Sequence, residues 1–214
     1  MKKKIVLYVI ISCIITLVPM LVGLILWDAL PDRIATSFDV DGSSNDYSSK
    51  LFAVVGLPLI LVGINLLCIL LTLADPKRRQ IGTKLILFTL SIVPATSLFC
   101  GCLMYQNYFG LSLNVTKFSF VFLGLLLFVC GFAIRKCKQN YTIGIKLPWT
   151  LESKENWDKT HAFGGKLWIV GGVFIILLGL LGFTILPFCV MGAVIIIPTI
   201  YSYLYYRKNE KNEI

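Results

Sequence analysis

Few side chains in this 214-residue sequence could carry chemistry, and their spacing is wrong for catalysis. The single histidine, His161, has no acid or nucleophile at a spacing that would complete a proton-relay set. Cys100 and Cys102 could supply half of a zinc site, but neither a histidine nor a second cysteine pair lies nearby. The other cysteines, Cys13, Cys68, Cys130, Cys137 and Cys189, fall mostly in apolar runs, where a thiol behaves as a small hydrophobe. Asp39, Asp41 and Asp46 could ligate a cation, but they lack calcium-loop spacing, and a solvated acidic loop explains them too. The sequence holds no HExxH motif, no paired acids within the apolar runs and no Ser/His/Asp set. The expectation is a non-enzymatic protein with no metal and no cofactor.

The elements that would hold these residues follow from composition. Hydrophobic residues make up 57% of the chain and charged residues 14%, with a mean hydropathy of +0.83. Soluble domains sit near roughly 45–50% apolar and about a quarter charged. The surplus needs a second apolar solvent, which the lipid bilayer supplies. Apolar runs occur at 5–27, 51–74, 84–105, 118–134, 167–185 and 188–206, each close to the ~20 residues that cross a bilayer as a helix. The lysine-rich start resembles a signal peptide, and Ile10-Ile-Ser-Cys13 fits a loose lipoprotein pattern. The run continues to Trp27, however, which predicts an uncleaved first helix. The last two runs are separated only by Leu186 and Pro187. The expected fold is all-α, a polytopic transmembrane helical bundle of about six helices in the cell membrane.

Charge placement orients it. In a soluble protein a net charge of +9 would suggest nucleic acid. Here, of the twenty Lys and Arg residues, all but Arg33, Lys50 and Lys117 fall on one side of the predicted membrane. They are Lys2 to Lys4, the Lys77-to-Lys84 connection, the 135–166 loop, and Arg207, Lys208 and Lys211. The positive-inside rule puts both termini in the cytoplasm. No ionisable residue falls mid-span, which disfavours a proton-driven transporter. Asn65, Thr72, Ser91, Thr96, Ser97 and Thr184 could line a polar path, though helix-to-helix hydrogen bonds are the commoner role. Pro19, Pro58, Pro94 and Pro198 should kink their spans, forming either a cavity or mere bends. Gly56 and Gly63, Gly124 and Gly131, and Gly179 and Gly182 are expected to permit close helix approach.

Two loops exceed simple connectors. In the outer loop, 28–50, the alternation Ile34, Thr36, Phe38, Val40 suits an extended segment, and Asp41-Gly42 is a turn signal. A small extracytoplasmic cap follows, net acidic through Asp28, Asp32, Asp39, Asp41 and Asp46. Asn114-Val-Thr116 is a glycosylation sequon that has no meaning in a bacterium. In the inner loop, 135–166, Ser153 could cap a short helix with Glu155 in its first turn and Trp157 and His161 on one face. Trp149, Trp157 and Trp168 with nearby lysines suit either an interfacial anchor or a docking surface for a cytoplasmic partner.

Ile143-Gly-Ile-Lys-Leu-Pro-Trp-Thr150 and Trp157-Asp-Lys-Thr-His161, within 140–168, resemble the SdpI family of bacterial membrane proteins. The family pattern expected there is Ile-Gly-Ile-Arg-Thr-Pro-Trp-Thr, then a Trp and a Thr-His pair. This chain departs from it at Lys146, Leu147 and Ala162, and Lys146 keeps the charge but not the planar fork of arginine. Leu30-Pro31, Ile34, Phe38, Gly42 and Ser49-Lys50 resemble an N-terminal module often attached to that family, with Ser37 where a histidine usually stands. The resemblance implies a two-helix module over 1–80 and an SdpI-like four-helix module over 81–214. It implies immunity to a secreted toxin peptide, and a receptor role in which a cytoplasmic transcriptional repressor is recruited, with no direct nucleic-acid contact. A small permease or exporter of a peptide or lipid is the alternative. The partner-docking residues it suggests are Asn140, Gly144, Lys146, Pro148, Trp149, Thr150, Trp157, Thr160 and His161. Pro31, Phe38, Asp39, Asp41 and Gly42 are the suggested outer contacts for an extracellular toxin peptide.

Overall fold

The computed structural model describes residues 2–111 and 113–209. Of the cations counted above, Lys211 and the side chains of Lys2, Lys3 and Lys4 lie outside the described residues. Among the described residues, six helices are long and apolar enough to cross a membrane. They are α1 (Lys2–Ile25), α2 (Leu57–Ala74), α3 (Thr83–Tyr105), α4 (Val115–Ile134), α6 (Lys154–Leu180) and α7 (Ile185–Asn209), with a short α5 (Pro148–Glu152) before α6. At most 33% of the most apolar window in any of these spans is buried inside the protein. Large side chains such as Ile25, Leu70 and Ile185 stand exposed. Apolar surface on that scale is stable only against hydrocarbon. The chain is a multi-pass membrane protein.

It forms two compact units, Met1–Leu71 with Ile86–Phe118, and Thr72–Leu85 with Ser119–Ile214. In the first, the expected extended segment is β1 (Arg33–Phe38), paired antiparallel with β2 (Ser44–Ser49). The second strand has no apolar alternation to announce it. It is held by the backbone ladder and by hydroxyls, with Thr36 and Ser48 2.8 Å apart. The turn uses Gly42 at φ +89, a left-handed conformation that suits glycine. Ile34 turns inward, and with Leu30, Ala53, Val54 and Tyr105 it forms a buried cluster beneath the hairpin.

Helix-to-helix hydrogen bonds tie this unit together within the apolar layer. The Asn65 amide donates to the Ser12 hydroxyl at 2.9 Å, and Ser97 Oγ donates to the Thr16 carbonyl at 2.7 Å. Each such bond contributes about 0.6 kcal/mol in a membrane. Ser91 and Thr96 instead donate to Phe88 and Ile92 on their own helix. A π-helical turn over Phe52–Gly56 precedes α2, and Pro58 sits just inside that helix.

In the second unit, glycines bring α4 and α6 into backbone contact. A Cβ at Gly124 would stand 2.6 Å from the Gly172 carbonyl oxygen, and one at Gly131 2.7 Å from that of Gly165. Gly179 instead packs against the Phe120 side chain, whereas Gly63 and Gly182 face open space, so close approach is not their role.

Two expectations need correction. Ser153 does cap a helix, its hydroxyl accepting from the Asn156 N–H at 3.2 Å. That helix is not a short separate segment: it is the start of α6, which continues unbroken into the span. No residue between 154 and 180 breaks the helical ladder, and the buried glycines there are packed against neighbours: Gly165 and Gly172 against backbone, Gly164, Gly171 and Gly179 against side chains. The break between the last two spans falls at 181–184 rather than at Leu186 and Pro187, because Pro187 needs no backbone donor in the first turn of α7. Thr184 therefore lies in a turn.

Candidate functional site

The loop from 136 to 153 is not a loosely draped connector. Asn140, fully buried, organises its first half. Its Oδ1 accepts from the Thr142 and Ile143 N–H groups at 2.9 and 2.7 Å, and its Nδ2 donates to the carbonyls of Lys138 and Ile143. Gln139 reaches forward, donating to the Thr150 and Leu151 carbonyls, and accepts from Lys77 Nζ at 2.8 Å. Asp75, in the connection before α3, caps the same loop by accepting from Tyr141 N–H and Thr142 Oγ1, at 2.8 and 2.6 Å. Carbonyls and amides that no regular structure would satisfy are thus paired by side chains.

The second half closes over α6. Pro148 starts α5, where its missing N–H costs nothing. Thr150, fully buried, accepts from the Leu147 N–H at 2.9 Å and lies 2.9 Å from the Ile145 and Leu147 carbonyls. The Trp157 indole is 0% exposed and donates to the Cys137 carbonyl at 2.8 Å. It stacks on His161 with ring centroids 4.0 Å apart. His161 Nε2 accepts from the Ile145 N–H at 2.8 Å, so that nitrogen carries no proton, and Nδ1–H is left to donate to the Trp157 carbonyl at 2.8 Å. Gly144 makes this closure possible. Its φ is +125, and a Cβ there would collide with His161 Nε2.

A polar thread then ties the loop to α7. Trp149 Nε1 donates to Ser202 Oγ at 2.7 Å, Ser202 donates to Asn156 Oδ1 at 3.0 Å, and Thr160 donates to the same oxygen at 2.9 Å. Asn156, Thr160 and Ser202 are all 0% exposed.

The motif residues Asn140, Gly144, Thr150, Trp157, Thr160 and His161 are therefore gathered into one buried knot, with Trp149 half-buried at its edge. Lys146 and Pro148 stand exposed on its surface. The interfacial-anchor reading of the tryptophans fails here. Trp157 is enclosed, Trp149 is bonded to Ser202, and Trp168 donates to the Val194 carbonyl at 2.9 Å. Indoles whose N–H groups find partners inside the protein have no need of headgroups. Sequence reasoning missed Asp75, Cys137, Gln139, Asn156 and Ser202. Polar residues next to or inside apolar helices, Asn156 and Ser202 above all, were the available signal. The Cys137 thiol is pushed up to about 11, chiefly by burial.

The hairpin unit is built differently. Asp39 and Asp41 lie exposed at the turn, accepting from Asn45 and from Ser43 respectively. Hydrogen bonds from the Ser43 hydroxyl and N–H hold the Asp41 carboxyl below its ordinary value. Among the described residues no three His, Cys, Asp or Glu side chains converge as a metal site would require. Pro31, Phe38 and Gly42 line an open cleft of about 590 Å³ beside the hairpin. A smaller cavity of about 260 Å³ adjoins it between β1 and helices α1, α2 and α3.

Comparison with known proteins matches both regions. Residues 136–202 match the SdpI/YfhL protein family. Residues 14–62 match a domain of unknown function, DUF1648. The chain is 25% identical over 215 residues to "Immunity protein SdpI" of Bacillus subtilis (strain 168), covering 97% of this chain and 98% of that protein. No solved structure matches.

Proposed function

We propose, taking as the premise the SdpI/YfhL likeness of residues 136–202 and the full-length likeness to an immunity protein, that this protein is a membrane immunity protein. It gives its cell resistance to a secreted antimicrobial peptide without enzymatic chemistry. The observation that carries this reading is the full-length similarity to an immunity protein, 25% identical over 97% of the chain. The matched segment is also the one whose side chains form the buried knot. In this reading the hairpin faces outward and meets the peptide through Pro31, Phe38, Asp39, Asp41 and Gly42. The knot faces the cytoplasm, where exposed Lys146 and Pro148 offer a rigid surface to a repressor protein. Preorganised surfaces lose little entropy on docking, which favours a role for the knot as a platform. Both nitrogens of His161 are already engaged, so the knot supports recognition better than acid–base work.

The experiment is to delete the gene and challenge cells with the secreted peptides of neighbouring strains. Increased killing, reversed by the wild-type gene, is the expected result, and unchanged sensitivity would remove the immunity reading. Reporter fusions at residues 80 and 150 test the orientation, both being expected in the cytoplasm. One observation favours the alternative of a small exporter: the cavity among α1, α2 and α3 lies at two prolines, Pro19 and Pro58. Peptide efflux from reconstituted vesicles would separate the two.

A further inference from the structure

We infer that the apolar cavity between β1 and helices α1, α2 and α3 is a specificity pocket that takes an apolar side chain of a cationic amphipathic peptide. The biological meaning rests on the immunity reading, but the pocket's geometry stands apart from it. Its walls include Pro19, Leu57, Pro58, Ile60, Leu61 and Cys100. The two prolines lack the N–H that would continue the helical ladder, and the π-helical turn at Phe52–Gly56 lies one residue before Leu57. Such irregular turns inside helices cluster at functional sites, and here they hold the wall of a cavity. Gly101 closes the space on another side, because a Cβ there would stand 2.7 Å from Pro19 Cβ.

The lining hydroxyls are already committed: Thr36 to Ser48 at 2.8 Å, and Ser97 to the Thr16 carbonyl at 2.7 Å. A polar group entering the pocket would lose its water and gain little in return, so the occupant is apolar. Ala35, Phe38, Leu103 and Met104 line both this pocket and the larger cleft beside the hairpin. Beyond them the lining turns polar, with Arg33, Ser43, Tyr47, Gln106 and Asn107. The ligand therefore has an apolar anchor and a polar remainder. Its charge follows from the 28–50 loop that borders the cleft: Arg33 itself lines the cleft, but the loop's five aspartates outnumber Arg33 and Lys50, and exposed Asp39 and Asp41 adjoin the lining residues Phe38, Gly42 and Ser43. An anionic phospholipid headgroup would meet like charge there, whereas a cationic peptide meets the opposite sign. Anchoring one side chain in a desolvated pocket, with a polar rim around it, is how peptide recognition concentrates its energy.

Cys100 reports on occupancy. Full-length protein in membrane vesicles would be treated with N-phenylmaleimide, and modification of Cys100 followed by peptide mapping, with a cysteine introduced at exposed Lys154 (K154C) as the internal control. The probe is a synthetic Lys/Leu amphipathic helix, compared with the same peptide bearing Ala at every Leu. The Leu peptide should slow Cys100 modification roughly tenfold and the Ala peptide should not. D39N/D41N should weaken that protection, and L61W, which fills the pocket, should abolish it while leaving the control cysteine's rate unchanged. Equal rates with and without peptide would overturn the inference, as would a Cys100 that resists the reagent throughout. Protection by phosphatidylglycerol enrichment instead of peptide would make lipid the occupant and overturn it too. The immunity reading is scored separately: a wild-type gene that fails to protect cells, while the Leu peptide still shields Cys100, sinks immunity and leaves the pocket standing.

Discussion

The hairpin cap and the 136–161 knot both sit at the ends of membrane helices, yet they are constructed in opposite ways. The cap exposes most of its side chains, and the acids at its turn bond to neighbours within a few residues, as Asp41 does to Ser43 and Asp39 to Asn45. The knot buries Asn140, Thr150, Asn156, Trp157, Thr160 and His161, and to its local bonds it adds others between residues far apart in sequence, as Tyr141 to Asp75 and Trp149 to Ser202. A surface bonded locally can change its side chains without changing its fold. A network bonded over long range cannot, because each partner removed leaves a buried polar group behind. The comparison predicts that substitutions in the knot act through stability, and substitutions in the cap through recognition.

The largest effect expected is at Trp157. W157A should cost about 3–5 kcal/mol, read as a lowered thermal midpoint of the purified protein, since it removes a fully enclosed indole and opens a cavity. A loss as small as that of a surface change would break the contrast. Next comes Gly144→Ala, expected to cost about 1–3 kcal/mol from its positive φ alone, with the clash against His161 adding to it. W149F sharpens the picture further along the thread: it keeps an aromatic six-membered ring but loses the Nε1–H that bonds Ser202, for about 1 kcal/mol from that bond. At the small end, E152A, K154A and D39N should each leave stability within about 0.5 kcal/mol, while D39N lowers protection against a cationic peptide.

A pH experiment tests the knot from another side. Burial raises the Cys137 thiol from 9.0 to about 11, with the Asp75 charge adding to the rise and the Asn140 hydrogen bond opposing it. The folded value lies above the unfolded one, so the contribution to stability is intact below pH 9.0. It is lost as pH climbs through about 11, because the unfolded chain ionises first. Alkylation of Cys137 at pH 8 should accordingly be slow in the folded protein and fast in the denatured chain, since the thiolate is the reactive form. Fast alkylation of the folded protein would show that the knot opens readily.

How much of this was legible in the sequence differs between the same two regions. The spans could be read because hydrocarbon demands long apolar runs, and the cap's first strand because Ile34, Phe38 and Asp41-Gly42 mark alternation and a turn. The helix cap at Ser153 was legible for the same local reason. The polar second strand was not, since only its partner's backbone makes it a strand. Nor were the burial of Trp157 and the pairing of Asn156 with Ser202, because periodicity says nothing about which distant residue a side chain meets. A tryptophan beside lysines looks like a headgroup anchor until a carbonyl, here that of Cys137, is found waiting for its N–H. Only the three-dimensional arrangement supplies that.

The thread from Trp149 through Ser202 to Asn156 also imposes an order of assembly. Synthesis delivers residues 140–161 well before residue 202, so the loop emerges while the serine that two of its residues bond does not yet exist. Until α7 has entered the bilayer, Asn156 and Trp149 lack the serine that completes them, and the nascent chain displays unfinished polar surface at the membrane edge. A chain truncated ahead of Ser202 would keep that surface permanently, a signature that the cell's proteases can tell apart from the finished protein.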